Sequence, residues 1–175
     1  MAVILGSEAV SSLVDTLASQ LAARMADEPR WALVGIRDGG TPLAEALAHA
    51  VSGRTVTPPL RGAVDITLYR DDLYSGLEKP VLGVTKLDFS VNGTAIVLVD
   101  DVLFTGRTVR AAMGEVWDFG RPKFIQLLTL VDRGHRELPI AADLVGVRLD
   151  TAKSDRVVVD WQAQTISVES RKNGG

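Results

Sequence analysis

The chain has 175 residues and a formal net charge of −3, with 46% apolar and 23% charged residues. This composition excludes a disordered chain, and the small negative charge argues against a general binder of polyanions. The absence of cysteine excludes disulfides, thiol catalysis and cysteine-ligated zinc.

Length and sequence pattern predict one domain over residues 1–170, followed by a flexible polar tail at 171–175. No apolar run approaches the roughly 20 residues that a membrane span needs, and the first residues lack the basic region of a signal peptide. The cytoplasm is therefore the expected location.

The first predicted helix has an apolar stripe at helical spacing, with Ser7 placed to cap it. The stripe consists of Val10, Leu13, Val14, Leu17, Leu21 and Met25. A buried strand is predicted at Trp31–Ile36. A second helix is predicted to start with Thr41 as its cap and Pro42 at its first position, and to run to about Val51.

The middle of the chain has one strong strand and one weakly patterned segment. Alternation predicts a strand at 65–69, whereas residues 70–94 contain mostly turn signals, which is typical of a functional loop or hairpin. The β-branched run at 95–99 is typical of a strand buried on both faces. A helix is predicted to follow at 106–119.

The C-terminal part is predicted to contain a strand at 124–131 and three short strands. The short strands are Leu144–Arg148, Arg156–Asp160 and Thr165–Glu169. The alternation of strands and helices predicts an α/β fold with a mainly parallel central sheet flanked by helices. We expect the N-terminal helix and the late short strands to form a small accessory hood.

The strongest chemical signal follows the strand at 95–99. Asp100 and Asp101 leave the strand, and Thr-Gly-Arg-Thr at 105–108 opens the next helix. Gly106 lets the backbone approach a phosphate closely, and a helix N-terminus supplies free N–H groups and a positive dipole end. Carboxylates accept hydrogen bonds from sugar hydroxyls or hold Mg²⁺. Together these features predict a site for a sugar phosphate.

The acid pair alone is less specific. Adjacent aspartates at a strand end also occur in receiver domains and in phosphatases that use an aspartyl nucleophile. The continuation at 105–108 favours the sugar-phosphate interpretation, because a receiver domain has no use for a phosphate-binding turn at that distance.

Residues 96–108, which read IVLVDDVLFTGRT, resemble the phosphoribosyl-pyrophosphate (PRPP) motif of type I phosphoribosyltransferases. DITLYRDDL at 65–73, GRP at 120–122 and LVDRGHRELPI at 130–140 resemble one branch of that group. This branch is PyrR, the pyrimidine operon attenuator and uracil phosphoribosyltransferase family. The resemblance extends roughly from residue 2 to 168.

The resemblance implies a type I phosphoribosyltransferase fold and transfer of the ribose 5-phosphate of PRPP to uracil with Mg²⁺, giving UMP and pyrophosphate. It also implies UMP-responsive binding to the leader of pyrimidine operon mRNA, which promotes transcription attenuation. A homodimer or homotetramer is expected. A non-catalytic nucleotide-binding regulator and a transferase for another base are the alternative functions.

The resemblance also implies roles for individual residues. Asp100 and Asp101 are expected to hold the ribose hydroxyls and to act on Mg²⁺ indirectly, through PRPP, and Arg70 opens the family's mobile loop over the active site. These three are the catalytic candidates. Arg133 and the backbone near Val157 are expected around the base. The residues expected to contact PRPP or UMP are Asp38, Gly39, Asp100, Asp101, Val102, Leu103, Phe104, Thr105, Gly106, Arg107, Thr108, Arg133 and Val157.

Two departures from the family pattern change these expectations. The family's pyrophosphate loop usually reads Thr-Arg-Gly, whereas this chain has Asp38 and Gly39 at the first two positions. A carboxylate repels pyrophosphate and glycine supplies no bidentate donor, so weakened transfer is predicted. The alternatives are a neutral variant of the turn, or partial replacement of the lost donor by Arg37.

The second departure concerns RNA. Residues 1–30 contain two arginines, Arg24 and Arg30, against four carboxylates, whereas RNA-binding members of the family generally have a basic first helix. Because RNA affinity depends on phosphate neutralisation, weak RNA binding is predicted. His135 is either catalytic or structural, and a structural or hydrogen-bonding role is favoured.

Overall fold

Strands and helices alternate along most of the chain in the computed structural model, which describes residues 2–66 and 84–170. The elements in chain order are β1 (Ala2–Leu5), α1 (Ser7–Arg24), β2 (Trp31–Ile36), α2 (Gly40–Ala50), β3 (Leu60–Val64), β4 (Ala95–Leu103), α3 (Arg107–Asp118), β5 (Phe124–Asp132), β6 (Leu144–Arg148), β7 (Arg156–Asp160) and β8 (Thr165–Glu169). No helix in these described ranges has both the length and the apolar character needed to cross a membrane.

The central sheet has five strands in the order β3-β2-β4-β5-β6, and every pairing is parallel. Strand β4 lies in the middle, where Val99 is paired with Gly35 of β2 on one side and Leu128 of β5 on the other. Parallel strands end at the same edge of a sheet, so the residues that follow β2, β4 and β5 meet there. Asp38, Gly39 and Arg133 follow strands at this edge, and Asp100 and Asp101 lie near the end of β4.

Both faces of the sheet are buried, and β4 contributes to each with alternate residues. Val97 and Val99 join one cluster with α1 and α2, whereas Ile96 and Leu98 join a second cluster with α3. Alternation between the two faces follows from the two-residue period of a strand. The continuous apolar run therefore reflects burial on both faces, as predicted.

A second, antiparallel sheet joins the two ends of the described chain in the order β1-β8-β7. Its first strand, β1, was not predicted. Helix α1 packs in one core cluster with α2 and also contacts β6 of the central sheet and β8 of this second sheet. The hood is formed by the three strands, and α1 lies between it and the central sheet.

Three local expectations were wrong. Of the strand predicted at 65–69, Asp65 and Ile66 are not in a strand and residues 67–69 fall outside the described ranges, whereas Leu60–Val64 forms a strand that was not predicted. Helix α1 begins at Ser7 itself and has Gly6 at its N-cap, without a side-chain cap. Helix α2 begins at Gly40 rather than after Thr41.

The early start of α2 has a steric cause. A Cβ at Gly40 would lie 2.0 Å from the carbonyl oxygen of Val99, so only glycine allows the helix to start against the end of β4. The Thr41-Pro42 pair therefore lies inside the first turn. Arg70 and the tail at 171–175 lie outside the described residues.

Candidate active site

The acid pair lies within β4, because the strand continues to Leu103 instead of ending at Val99. Asp100 is 6% exposed, and its Oδ1 accepts a hydrogen bond from the backbone N–H of Asp101 at 3.1 Å. Asp101 Oδ1 accepts one from the backbone N–H of Val102 at 2.8 Å. The two carboxylates are thus fixed by the backbone of their own strand.

Both carboxyl groups of the pair have raised pKa values. Burial raises the pKa of Asp100 well above its ordinary value, and the charge of Asp101 raises it further. Burial also raises the pKa of Asp101, although the N–H group of Val102 partly opposes the shift. A hydroxyl donor or a cation beside the pair would stabilise the charged form of these carboxyl groups.

The turn after β4 has the geometry expected for phosphate. Gly106 has φ of 93°, in the left-handed region that favours glycine, and α3 begins at the next residue. The Thr105 hydroxyl accepts a hydrogen bond from the backbone N–H of Arg107 at 3.3 Å. First-turn N–H groups have no acceptor within a helix, so this end of α3 can bind an anion. We call residues 103–108 the phosphate loop.

The turn at 37–40 closes against the acid pair. Its Arg37–Asp38 peptide is cis. A Cβ at Gly39 would lie 2.2 Å from the carboxylate carbon of Asp101, so the two residues are in close contact. An arginine at position 39, as in the family pattern, would require the Asp101 carboxylate or the turn to shift from the position it has here. The glycine therefore has a steric role as well as lacking a donor.

Arg37 lies in a different environment from its neighbours. Its side chain lines a cavity of about 320 Å³ between α2 and β3, together with Thr41, Glu45 and Arg61. The Arg37 Nε atom is buried there and has no hydrogen-bond partner among the described residues. Replacement of the missing pyrophosphate donor by Arg37 would require this side chain to leave the cavity.

The predicted base-side residues lie on the other side of the phosphate loop. Arg133 is 5% exposed, and its guanidinium carbon lies 4.1 Å from the ring centroid of Phe104. Burial lowers the pKa of Arg133, opposed by the charge of Asp155. Val157 is buried with its side chain in the core, and it is paired with Val168 in the β7–β8 ladder.

His135 has a hydrogen-bonding role. Its Nε2 donates to the carbonyl oxygen of Thr151 at 2.6 Å, since a carbonyl can only accept, and its ring packs edge-on against Phe104 at 5.9 Å. It also lines an open cavity of about 660 Å³ with Asp132, Arg136 and other residues of 132–136 and 148–150.

Sequence reasoning missed Arg136 as a site residue. Its guanidinium donates to the carbonyl oxygen of Phe104 at 2.6 Å and to Asp132 Oδ1 at 2.5 Å. The sequence held no signal for this role, because the i,i+4 spacing of Asp132 and Arg136 indicates an ion pair only on a helix, and this segment is not helical. Burial alone would raise the pKa of Asp132, but the hydrogen bond and charge of Arg136 lower it below its ordinary value.

The acid pair is a two-carboxylate donor set. Within the described ranges, no group of three or more His, Asp or Glu side chains is placed to hold a metal ion. Mg²⁺ is commonly bound by one or two carboxylates together with substrate phosphates and water. The pair therefore fits a Mg²⁺ ion that arrives with an anionic substrate.

The phosphoribosyl transferase domain family matches residues 4–168 of the chain. A bifunctional protein PyrR from Pelotomaculum thermopropionicum is 47% identical over 171 residues, which cover 96% of this chain and 92% of the relative. A bifunctional protein PyrR from Deinococcus radiodurans is 45% identical over 161 residues, with coverages of 92% and 88%.

Solved structures support the same fold. The hypoxanthine phosphoribosyltransferase of Trypanosoma cruzi superposes with a TM-score of 0.75 at 16% identity, covering 98% of each chain. A Staphylococcus aureus hypoxanthine phosphoribosyltransferase gives 0.71 at 19% identity, covering 98% of this chain and 93% of its own. At these identities the likeness concerns the fold and not the base that is bound.

Proposed function

Since the chain belongs to the phosphoribosyl transferase domain family and, within it, to the bifunctional PyrR proteins, we propose that the cleft beyond β2, β4 and β5 is where it makes UMP. The protein is a uracil phosphoribosyltransferase and a regulator of pyrimidine genes. In this proposal, separate groups of residues in the cleft bind the ribose, the 5′-phosphate, the base and the pyrophosphate.

One observation carries the assignment. Strand β4 delivers the paired carboxylates of Asp100 and Asp101, and three residues after the strand ends the chain turns at Gly106 into the N-terminus of α3. The distance between a hydroxyl-binding group and a phosphate-binding group is therefore fixed by a short, continuous stretch of backbone. A ribose 5-phosphate presents hydroxyls at one end and a phosphate at the other, which matches this order.

Asp100 and Asp101 hold the ribose hydroxyls in the proposed complex, and Thr105 to Thr108 hold the 5′-phosphate. Phosphoribosyltransferases generally use Mg²⁺ with PRPP. The acid pair would hold that ion through PRPP, and the ion would neutralise the departing pyrophosphate. Rigid holding of the ribose matters because the anomeric carbon acquires positive charge during displacement, and misplaced groups lose catalytic effect.

In the proposal, uracil binds at the side of the cleft formed by Phe104, the Arg133 guanidinium that covers its ring, and the backbone at Val157. This part of the cleft has a half-buried aromatic ring and backbone polar groups, which suits a small planar base. Arg70 remains a proposed catalytic residue on sequence grounds, as it lies outside the described residues.

The 37–40 turn faces the pyrophosphate end of PRPP in this arrangement. Asp38 is exposed, and its negative charge opposes an anionic ligand, whereas Gly39 contacts Asp101. We therefore expect slower transfer than in members with the usual loop. UMP carries no pyrophosphate, so its binding should depend little on this turn.

The leader of pyrimidine operon mRNA is the proposed macromolecular partner, with weak affinity. Basic side chains near α1 are largely paired within the protein. Arg24 lies 3.7 Å from Asp143, Arg54 lies 2.5 Å from Asp15, and Lys123 lies 2.8 Å from Glu28. Phosphate contacts would have to compete with these pairs.

Binding of UMP tests the phosphate assignment. Addition of UMP should raise the melting temperature by mass action, and the double variant Thr105→Ala, Thr108→Ala should lose most of that rise. Gly114→Ala is a matched control, because a Cβ there meets nothing within 4 Å. An unchanged rise in the double variant would place the phosphate elsewhere.

A further inference from the structure

Three carbonyl oxygens of the phosphate loop, those of Leu103, Phe104 and Thr105, accept hydrogen bonds from one neighbouring segment, residues 133–138, which we call the bracket. The bonds run from Arg133 N to Leu103 O (3.1 Å), from Arg136 Nη1 to Phe104 O (2.6 Å), and from Glu137 N and Leu138 N to Thr105 O (3.0 and 3.2 Å). Three consecutive carbonyls thus turn toward the bracket. A side-chain bond at 2.8 Å from Arg107 Nε to Glu137 continues the contact.

This pattern orients the rest of the loop. In a trans peptide the C=O and N–H groups point in opposite directions. With the carbonyls of 103–105 held by the bracket, the N–H groups of 104–106 face away from it, toward an approaching anion. The bracket therefore sets the direction of the phosphate-binding N–H groups without touching the phosphate.

Arg136 bonds the loop backbone through its side chain. Its Nε donates to the carbonyl of Ile140 at 3.0 Å, its Nη1 to that of Phe104, and its Nη2 to Asp132. All three nitrogens of the planar guanidinium are used, so its position is fixed. A lysine has the same charge but cannot span these acceptors.

Arg133 holds a different part of the molecule. Its Nη1 donates to the carbonyl of Asp155 at 2.6 Å, and its Nη2 to that of Ala152 at 2.8 Å. These residues belong to the connection that leads from β6 into β7 of the hood. Because the same guanidinium lies over the Phe104 ring, Arg133 fixes the hood connection at a set distance from the base side of the cleft.

We propose that Arg136 and Arg133 are positioning residues for opposite ends of the nucleotide. Arg136 fixes the phosphate loop, and Arg133 fixes the hood connection beside the base. The inference rests on the proposed placement of the 5′-phosphate at 105–108. It assigns different roles to two residues of the bracket, which membership of the family does not do.

The test compares two ligands on charge-conserving variants. Ribose 5-phosphate has the phosphate and no base, and UMP has both; calorimetric titration gives the affinity of each. Arg136→Lys should lower the affinities for both ligands by the same factor, about tenfold. Arg133→Lys should weaken UMP about tenfold and ribose 5-phosphate less than about twofold. In steady-state assays only Arg133→Lys should raise the KM for uracil.

Arg148→Lys is the matched control, since Arg148 is exposed on the same cavity and should leave both affinities unchanged. Phe104→Leu keeps the carbonyl bonded by Arg136 but removes the ring that lies under Arg133 and beside the proposed base. It should weaken the binding of UMP and spare that of ribose 5-phosphate, which tests the separation of the two ends. The titrations also give the fraction of competent protein, so a loss of folded material is separated from a loss of affinity.

Two results overturn the proposal. Arg136→Lys with unchanged affinity for ribose 5-phosphate would show that the loop needs no such bond. If both variants lowered the affinities for both ligands by the same factor, the two arginines would have a general structural role and not separate roles at the two ends of the nucleotide. If Thr105→Ala, Thr108→Ala leaves ribose 5-phosphate binding intact, the phosphate assignment fails as well. If that double variant loses binding and Arg136→Lys does not, only the positioning role fails.

Discussion

Alanine at position 39 should impair catalysis through contact with the acid pair. Gly39 has φ of −76° and ψ of −36°, a conformation that alanine adopts without strain. Any effect of Gly39→Ala therefore comes from its methyl group. That methyl would lie 2.2 Å from the carboxylate carbon of Asp101, against about 3.4 Å for ordinary contact.

The required displacement sets the size of the effect. Either the carboxylate or the turn must move by about 1 Å to admit the methyl group. A misplacement of this size at a group that positions substrate costs roughly 100-fold in rate, or about 2.7 kcal/mol of transition-state stabilisation. Stability should fall much less than catalysis, because the reduced entropy of the unfolded chain offsets part of the strain that the methyl group introduces.

The assay is uracil-dependent release of pyrophosphate from PRPP and Mg²⁺, with kcat/KM for PRPP as the readout. Thermal unfolding on the same samples reports stability. Gly114→Ala, in the exposed part of α3, makes the same chemical change in open space. It should raise stability by about 0.4–1 kcal/mol and leave kcat/KM unchanged.

A Gly39→Ala protein that keeps kcat/KM within about threefold of the wild type would refute the reasoning. The turn would then have to lie away from Asp101 during turnover, and the close contact would not describe the catalytic state. A matched fall in kcat/KM and stability would instead indicate general disruption.

Three other predictions address charge. Asp38→Thr removes a repulsive charge and should raise kcat/KM for PRPP by roughly three- to tenfold while UMP affinity stays within about threefold, as measured by kinetics and titration. Asp132→Asn should cost about 1–2 kcal/mol at pH 7 in urea unfolding. Because Asp132 has a lowered pKa when folded, its contribution is complete above the ordinary carboxyl value and is lost as pH falls through the folded value, so the two proteins should converge in acid. RNA binding to a pyrimidine-leader hairpin should be weak and steeply salt-dependent in gel shifts; tight, UMP-enhanced binding at physiological salt would contradict the charge analysis.

Much of the fold was predictable because its elements have strong local signals. The stripe of α1, the apolar run of β4 and the short strands β6 to β8 were all placed within a few residues. Local sequence patterns could not predict which distant segments pair in a sheet. Ala2 pairs with Val168, and four residues at the N-terminus carry too little periodicity to predict a strand.

At the start of α2, packing against β4 overrides the local sequence preference for a helix that begins at Thr41-Pro42. Thr41-Pro42 has the residue preferences of a helix start, and a sequence pattern contains nothing to oppose it. The opposing fact is the position of Val99, whose carbonyl oxygen lies where a Cβ of residue 40 would be. The helix starts at Gly40 because the chain has come within contact distance of β4.

In the site too, features within one segment were predictable, whereas contacts between distant segments were not. Residue type and order identified Asp100, Asp101 and the turn at Gly106, because both the chemistry and the spacing lie within one continuous segment. They also identified Gly39 as a departure from the family pattern, but only as the loss of an arginine and its hydrogen-bond donors. Its contact with Asp101 joins segments about 60 residues apart, and so cannot be deduced from either segment alone. A chain that replaces arginine by glycine here gives up a donor and admits a closer approach of the turn to the acid pair. Substitutions at 38 and 39 should therefore act differently: a change at 38 alters the charge near the pyrophosphate, and a change at 39 alters the steric contact with Asp101.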